Sequence, residues 1–198
     1  MKIGLYFGSF NPIHVGHLII ANHILNSTDL EKVWLVVSPQ NPFKKTQGLL
    51  NEYHRLHLAK TATEDDNRIR VSDIEFGLSK PSYTVTTLIH LEEKYPGSQF
   101  SIIMGSDSFQ NLDKWKNYEA IVKHYPIYVY KREGFEITND FNAKLIVLDA
   151  PLIQVSSTVI RQLIKEKKSI RYLVPDKVKE EIERSGYYSG RTIDKEAK

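Results

Sequence analysis

Short apolar runs rich in β-branched residues recur along this chain, and amphipathic helical patterns separate most of them. The apolar runs lie at residues 3–7, 33–37, 100–104, 127–130 and 145–148, with a shorter one at 69–71. The helical patterns lie at about 15–25, 52–63, 84–94, 118–123, 157–165 and 175–184. Strands that alternate with helices are typical of βα units, whose strands are parallel. The sequence therefore predicts an α/β fold: a doubly wound, Rossmann-like parallel sheet with helices on both faces and ligands beyond the carboxyl ends of the strands.

The length and composition of the chain favour one domain with a substantial core. Its 198 residues are 41% hydrophobic, which suits a single α/β domain and leaves too little chain for a second full one. We expect this domain over residues 1–191, with a helical C-terminal part at about 157–186. Pro175 at a helix start and Gly186 after its end fit helix boundaries there. The polar residues 192–198 are expected to form a disordered tail.

Charge and composition also narrow the class of partner. The formal net charge of +3 suits an enzyme for anionic small molecules and is too low to indicate a nucleic-acid-binding module. The chain has no cysteine, which excludes disulfides and thiolate metal sites and fits a reducing compartment. No apolar run reaches the ~20 residues of a membrane span. We therefore expect a cytoplasmic protein that binds neither nucleic acid nor membrane, and leave open whether it forms a homo-oligomer.

The first predicted strand breaks into a turn at residues 8–12, and a helix follows almost at once. The first turn of a helix has unpaired N–H groups and a positive dipole end, so it attracts phosphates. Gly8 allows a tight turn and Gly16 leaves room for a ligand, while His14 and His17 would share a helix face as hydrogen-bond donors. The alternative is a plain turn beside two exposed histidines. The strand before and the helix after favour the phosphate site.

A second predicted helix start carries hydroxyl groups and a cation. Ser156, Ser157 and Thr158 follow a predicted strand and loop, and Arg161 comes one turn later. Ser157 could be a simple helix cap, but that interpretation leaves the arginine unexplained. Hydroxyls, backbone N–H groups and a guanidinium at this spacing can converge on one polyphosphate. Two such helix starts in one chain are a stronger signal than either alone.

Two further segments carry candidate binding residues at loops. The loop at 38–47 carries Lys44 and Lys45, although lysines on loops are usually just solvated. Ser82, Tyr83 and Thr84 precede a predicted helix and could form no more than a capped turn.

Two candidates lie near the strand at 100–104. Gly105 and Asp107 follow its carboxyl end, where this fold binds ligands, although an aspartate there could also cap a helix. Trp115 lies among polar neighbours, a setting that suits stacking on a flat ring more than a place in the core. His54 and His57 share a helix face and are interpreted as surface residues.

The stretch GSFNPIHVGHL at 8–18 resembles the nucleotidyltransferase superfamily marked by H/T-x-G-H. As a whole it resembles the bacterial nicotinate-nucleotide adenylyltransferases. HVGH alone is also similar to the class I aminoacyl-tRNA synthetases, for which the chain is too short. Further matches follow in the family's order: SYT at 82–84, GSD at 105–107, LDKW at 112–115 and QVSSTVIR at 154–161. The resemblance implies that ATP and nicotinate mononucleotide react to nicotinate adenine dinucleotide and pyrophosphate.

The resemblance also implies roles for individual residues. The implied catalytic residues are His14, His17, Lys44 and Arg161, with Lys45 a rival to Lys44. The implied ATP-binding residues are Gly8, Ser9, Phe10, His14, Gly16, His17, Gly105, Asp107, Ser156, Ser157, Thr158 and Arg161. The implied mononucleotide-binding residues are Asn11, Lys44, Tyr83, Thr84 and Trp115. Among these, Trp115 would stack on the pyridine ring, and the Tyr83-Thr84 segment would receive the nicotinate carboxylate. The implied cofactor is Mg²⁺, held mainly by the ATP phosphates, with no metal site made by the protein.

The first turn departs from the family's commonest pattern. Many members have GGTFDP where this chain has GSFNP, so Asn11 replaces an aspartate and removes a charge. The alternative functions are an adenylyltransferase for nicotinamide mononucleotide or for both mononucleotides, and a non-catalytic nucleotide sensor. The presence of His14, His17 and Arg161 favours an enzyme over a sensor.

Overall fold

The computed structural model describes residues 1–40, 48–151 and 154–190. Its centre is a parallel sheet of six strands in the order β3-β2-β1-β4-β5-β6. The strands are β1 (Lys2–Gly8), β2 (Lys32–Val37), β3 (Ile69–Ser72), β4 (Gln99–Gly105), β5 (Ile127–Tyr130) and β6 (Leu145–Leu148). Each predicted strand is found, with ends within one residue of the prediction. The predicted α/β fold with a Rossmann-like sheet is confirmed.

The predicted helices are also found, with ends within two residues of the prediction. They are α1 (Val15–Ser27), α2 (Glu52–Thr63), α3 (Thr84–Lys94), α5 (Tyr118–His124), α6 (Ser157–Lys165) and α7 (Asp176–Ser185). The sequence did not predict α4 (Ser106–Phe109) or the 3-10 turns at Ile74–Gly77 and Leu112–Lys114, because segments this short show no helical period. Helix α7 starts after Pro175 and ends before Gly186, whose φ of 66° is left-handed, as the proline and glycine predicted.

Both faces of the sheet are covered by helices. Successive strand residues point to opposite faces, so Tyr6 packs in an apolar cluster with residues of α1, α2, α6 and α7. Its neighbour Leu5 packs in a second cluster with residues of α3, α4 and α5. Burial on both faces explains why the strands appear in the sequence as continuous apolar runs.

The order of the strands places a topological switch point between β1 and β4. The chain runs from β1 to β2 and β3 on one side, and from β4 to β5 and β6 on the other. The carboxyl ends of the two central strands, at Gly8 and Gly105, therefore border one crevice, where this class of fold binds ligands. Within the described residues, no helix has the length and apolar character that crossing a membrane requires. The tail predicted at 192–198 lies outside the described residues.

Candidate active site

A cavity of about 490 Å³ lies at the switch point, over the carboxyl ends of β1 and β4. It brings together most of the residues that the sequence predicts to bind substrates. These are Gly8, Ser9, Phe10, Asn11, His14, His17, Tyr83, Thr84, Gly105, Asp107, Trp115, Ser156, Ser157, Thr158 and Arg161. Gly16 does not line the cavity and is buried as the second residue of α1. Lys44 and Lys45 lie outside the described residues, so their predicted contacts stay predictions.

The two histidines of the first helix start form a stacked pair. Their ring centroids are 3.7 Å apart and the ring planes differ by 27°. His14 is the extended residue that precedes α1, so the prediction that the two histidines share a helix face is wrong. Its backbone N–H donates to Nδ1 of His17 over 3.2 Å. Because Nδ1 of His17 accepts this bond, the ring proton is on Nε2, which can donate to a ligand.

His14 is neutral at physiological pH. The side chain is 6% exposed, and in the described part of the chain its Nδ1 has no hydrogen-bond partner. Burial, helped by the nearby charge of Arg132, lowers the pKa of His14 to about 4. A neutral imidazole both donates and accepts, so His14 can donate to a phosphate without carrying a charge of its own.

The turn after β1 is shaped by close packing. The turn expected after Gly8 is found, but Gly8 does not have a left-handed φ, so the turn does not depend on a backbone conformation that favours glycine. A Cβ at Gly8 would lie 2.8 Å from the ring of Phe10, which itself takes a positive φ of 43°. Glycine is therefore required for the approach of that ring. The side chain of Asn11 donates to the carbonyl of Gly48 over 3.0 Å and accepts from the N–H of Leu50 over 3.2 Å, so it holds the end of the loop that carries the lysines.

Helix α6 is attached directly to this first turn. Arg161 donates from Nη1 to the carbonyl of Asn11 over 2.7 Å and from Nη2 to Oγ1 of Thr158 over 3.2 Å. The hydroxyl of Ser157 donates to the carbonyl of Pro12 over 2.9 Å. The cap of α6 is Ser156, which accepts from the N–H of Val159, so the simple capping role considered for Ser157 is wrong. The two helix starts predicted to bind phosphate are therefore adjacent.

Arg132 is a cation of the cavity that the sequence analysis missed. It follows β5 by two residues and lines the cavity, with Nε 3.3 Å from Oδ1 of Asp107. Its Nη2 donates to the hydroxyl of Tyr130 over 3.2 Å, and that hydroxyl bonds to the hydroxyl of Tyr6. A position just beyond the carboxyl end of a strand was the available signal, because this fold places ligands there.

Two aromatic residues that the sequence predicts to bind the acceptor, Tyr83 and Trp115, line another part of the cavity. Tyr83 directly precedes α3, and Trp115 follows the 3-10 turn at Leu112–Lys114. Both line the cavity, and Trp115 is half-buried with part of its surface against the second apolar cluster. The ammonium group of Lys116 lies 4.5 Å from the ring centroid of Tyr83, so a second cation that the sequence did not indicate borders this region.

Arg55 of α2 is fully buried beneath the cavity and holds three of its backbone segments together. Its guanidinium donates to the carbonyls of Ser9 (2.6 Å), Ser38 (2.8 Å), Pro39 (3.0 Å) and Leu50 (2.7 Å). No carboxylate of the described residues lies within ion-pair distance of it. Its neighbours His54 and His57 are exposed, as predicted, and His54 bonds to the hydroxyl of Tyr187. A single arginine in an amphipathic helical pattern gave no sign of this burial.

A family model described as Cytidylyltransferase-like matches residues 5–163. The chain belongs to this family. The matched region contains all of β2 to β6, the turn with the two histidines and most of α6. The cavity described above is thus built almost entirely from the part of the chain that defines the cytidylyltransferase-like family.

Several proteins are similar to this one over nearly the whole chain. A probable nicotinate-nucleotide adenylyltransferase of Flavobacterium psychrophilum is 53% identical over 191 residues, 95% of this chain and 99% of the relative. One of Cytophaga hutchinsonii is 52% identical over 194 residues, 96% of this chain and 99% of the relative. The nicotinic acid mononucleotide adenylyltransferase of Plasmodium falciparum, solved in complex with NaAD, shares the fold with a TM-score of 0.80. The identity there is 21%, over 94% of this chain and 97% of that chain.

Proposed function

We propose that this protein is a nicotinate-nucleotide adenylyltransferase, which transfers AMP from ATP to nicotinate mononucleotide in NAD biosynthesis. The observation that carries the proposal is that one cavity contains both helix starts of phosphate-binding type and the aromatic side chains of Tyr83 and Trp115, where an acceptor could bind. The Arg161–Asn11 contact of 2.7 Å fixes the two helix starts side by side. The names of the relatives that are 52–53% identical support the same activity.

The proposed reaction is a single in-line displacement. A 5′-phosphate oxygen of the mononucleotide forms a bond to the α-phosphorus of ATP, and the bond from that phosphorus to the oxygen bridging to the β-phosphorus breaks. Pyrophosphate leaves with that oxygen. The attacking phosphate is already anionic, so the reaction needs no general base, and positioning together with charge stabilisation supplies the catalysis.

We assign the charge stabilisation to the histidine pair and to α6. The protonated Nε2 of His17 and the neutral ring of His14 donate to the oxygens of the α-phosphoryl group in the transition state. The start of α6, with Ser157, Thr158 and Arg161, holds the departing pyrophosphate, and Lys44 adds positive charge from the neighbouring loop. Arg132, which also lines the cavity, adds a further charge on the side of β5.

The acceptor is proposed to lie between Trp115 and the start of α3. Its pyridine ring would stack on Trp115, and its carboxylate would accept from the backbone N–H groups that follow Tyr83. An amide in that place would leave these donors poorly paired, which would favour the acid over the amide.

We propose that Mg²⁺ enters with ATP as part of the substrate. Within the described ranges, no three His, Asp or Glu side chains come together as a possible metal site. Asp107, which lines the cavity, is paired with Arg132. These residues suit a metal carried by phosphate oxygens and water, as Mg²⁺ often is. We also propose a cytoplasmic location, which the cysteine-free composition fits.

Pyrophosphate release with ATP and Mg²⁺ tests the proposal, with nicotinate mononucleotide and nicotinamide mononucleotide offered in parallel. The expected result is release with a large preference for the acid, together with a dinucleotide product of the expected mass. An equal or reversed preference would retain the chemistry and overturn the assigned acceptor. ATP binding without release with either mononucleotide would overturn the enzymatic function and favour a nucleotide sensor.

A further inference from the structure

Glu75 is a buried carboxylate in the wall of the cavity that the proposed reaction does not use. It lies in the 3-10 turn at Ile74–Gly77, is 2% exposed and borders the acceptor region. Burying a carboxylate is costly unless its oxygens receive hydrogen bonds. Its position beside the acceptor region suggests a role in holding that region.

Hydroxyl groups, and no cations, satisfy this carboxylate. Ser82 donates to Oε2 over 2.7 Å, and Thr87 donates to Oε1 over 2.9 Å. Ser38 is a third hydroxyl residue, and its side chain favours the charged form of Glu75. Among the described residues, no Lys, Arg or His lies within ion-pair distance. Burial raises the pKa of Glu75, and the three hydroxyl groups act in the opposite direction.

The two donors lie on either side of the start of α3. Ser82 directly precedes Tyr83, and Thr87 is in the first turns of the helix, fully buried and outside the cavity lining. The N–H groups of Thr86 and Thr87 already donate to the carbonyl of Tyr83, over 3.0 and 3.1 Å. In the described part of the chain, the N–H groups of Thr84 and Val85 have no acceptor. Glu75 thus spans the segment that presents two unused backbone donors.

We infer that Glu75, through Ser82 and Thr87, is the positioning residue that sets the acceptor selectivity of this site. The inference rests on the proposed function, because it assigns the carboxylate of the acceptor to the N–H groups of Thr84 and Val85. Hydrogen bonds to a carboxylate weaken steeply when distance and angle change. A segment held at both ends by one buried carboxylate keeps these two donors in place, whereas stacking of the pyridine ring on Trp115 does not depend on it.

The test removes one end of this bridge without touching the cavity. Thr87→Val deletes the hydroxyl and nearly preserves the shape of a fully buried side chain. Thr87→Ser retains the hydroxyl. The matched control is Thr86→Val, the same substitution at the neighbouring position, where the side chain is exposed. The Michaelis constants for ATP and for both mononucleotides are measured by pyrophosphate release, and the thermal midpoint of each variant is recorded to verify folding.

We expect Thr87→Val to raise the KM for nicotinate mononucleotide about tenfold, the loss of one well-placed hydrogen bond to a charged group. The ratio of kcat/KM between acid and amide should fall by a similar factor, and the KM for ATP should stay within about twofold of the wild type. Thr87→Ser and Thr86→Val should retain wild-type selectivity.

Unchanged selectivity in a folded Thr87→Val variant would overturn the inference on Glu75 and leave the proposed function intact. An equal rise in the KM for ATP and for the acceptor would also overturn it, since that result indicates a general structural role. A wild-type protein that releases no pyrophosphate with nicotinate mononucleotide would overturn the proposed function and the inference together, so the two failures are distinguishable.

Discussion

Asp107 and Arg132 form an ion pair beside the backbone of Gly105, with 3.3 Å between Oδ1 and Nε. The space for this pair exists because residue 105 has no side chain. A Cβ there would lie 2.8 Å from Nε of Arg132 and would also collide with the carboxylate of Asp107. Glycine is therefore required at the end of β4 because two charged side chains pass close to its backbone. Its φ is not left-handed, so backbone conformation is not the reason.

Gly105→Ala should consequently displace the ion pair and weaken ATP binding. We expect the KM for ATP to rise about tenfold, because charged groups lining the cavity lose their alignment. The matched control is Gly97→Ala, where a Cβ would meet nothing within 4 Å. The KM for ATP of both variants is measured from steady-state pyrophosphate release. A Gly105→Ala enzyme with the KM of the wild type would show that the pair does not contribute to ATP binding.

The pKa of His14 makes the stability of the fold depend on pH. The folded-state value is about 4, against 6.5 for an unperturbed imidazole, so between these values the unfolded chain binds a proton that the folded chain does not. The free energy of unfolding therefore decreases as the pH falls, and the contribution of His14 between pH 7 and pH 5 is about 2 kcal/mol.

Urea unfolding at pH 7 and pH 5 measures this effect when the wild type is compared with His14→Gln. The glutamine does not titrate in this range, so the variant should lose about 2 kcal/mol less than the wild type on acidification. The same loss in both proteins would mean that other groups cause the pH dependence and that His14 titrates normally.

The fold could be predicted from the sequence because the four central strands are buried on both faces and each long helix has a distinct boundary. Runs such as 33–37 are then apolar throughout, and Pro175 and Gly186 mark the limits of α7. The short elements α4 and Leu112–Lys114 had no such signal, since three or four residues do not complete a helical period.

The site was predictable where function depends on a turn or a helix start, and less so where it depends on tertiary contacts. The turn with His14 and His17 and the start of α6 are local patterns, and both line the cavity. Arg55, Glu75 and Arg132 are single charged residues in otherwise ordinary segments. Charged side chains are mostly exposed, so only the packing of distant segments shows that Arg55 and Glu75 are buried.

Arg55 should be one of the least replaceable residues for stability. Arg55→Lys leaves one ammonium group where a guanidinium now serves four backbone carbonyls, and buried carbonyls without donors are costly. We expect the free energy of unfolding in urea to fall by at least about 3 kcal/mol. The control is Arg68→Lys, an exposed arginine paired with Asp66, for which a change below about 1 kcal/mol is expected. Equal effects at the two positions would contradict the role given to Arg55.

His17 should affect turnover more than binding. If its Nε2 proton is donated mainly to the oxygens of the transition state, His17→Ala should lower kcat by about 10²–10³ and change the KM values much less. The matched control is His23→Ala on the same helix, whose side chain is outside the cavity lining and which should retain wild-type kcat. Single-turnover pyrophosphate release separates the chemical step from product release.

A conservative variant distinguishes donation by His17 from a structural role of its ring. The side chain of His17→Gln can accept from the N–H of His14 through its oxygen, as the imidazole does over 3.2 Å, and glutamine at this helix position commonly makes that bond. Its NH₂ group can then donate to a phosphate oxygen. We therefore expect His17→Gln to recover about tenfold of the kcat lost in His17→Ala. An alanine variant that turns over like the wild type would refute transition-state donation. A glutamine variant as slow as alanine would mean that the imidazole acts through more than its N–H group.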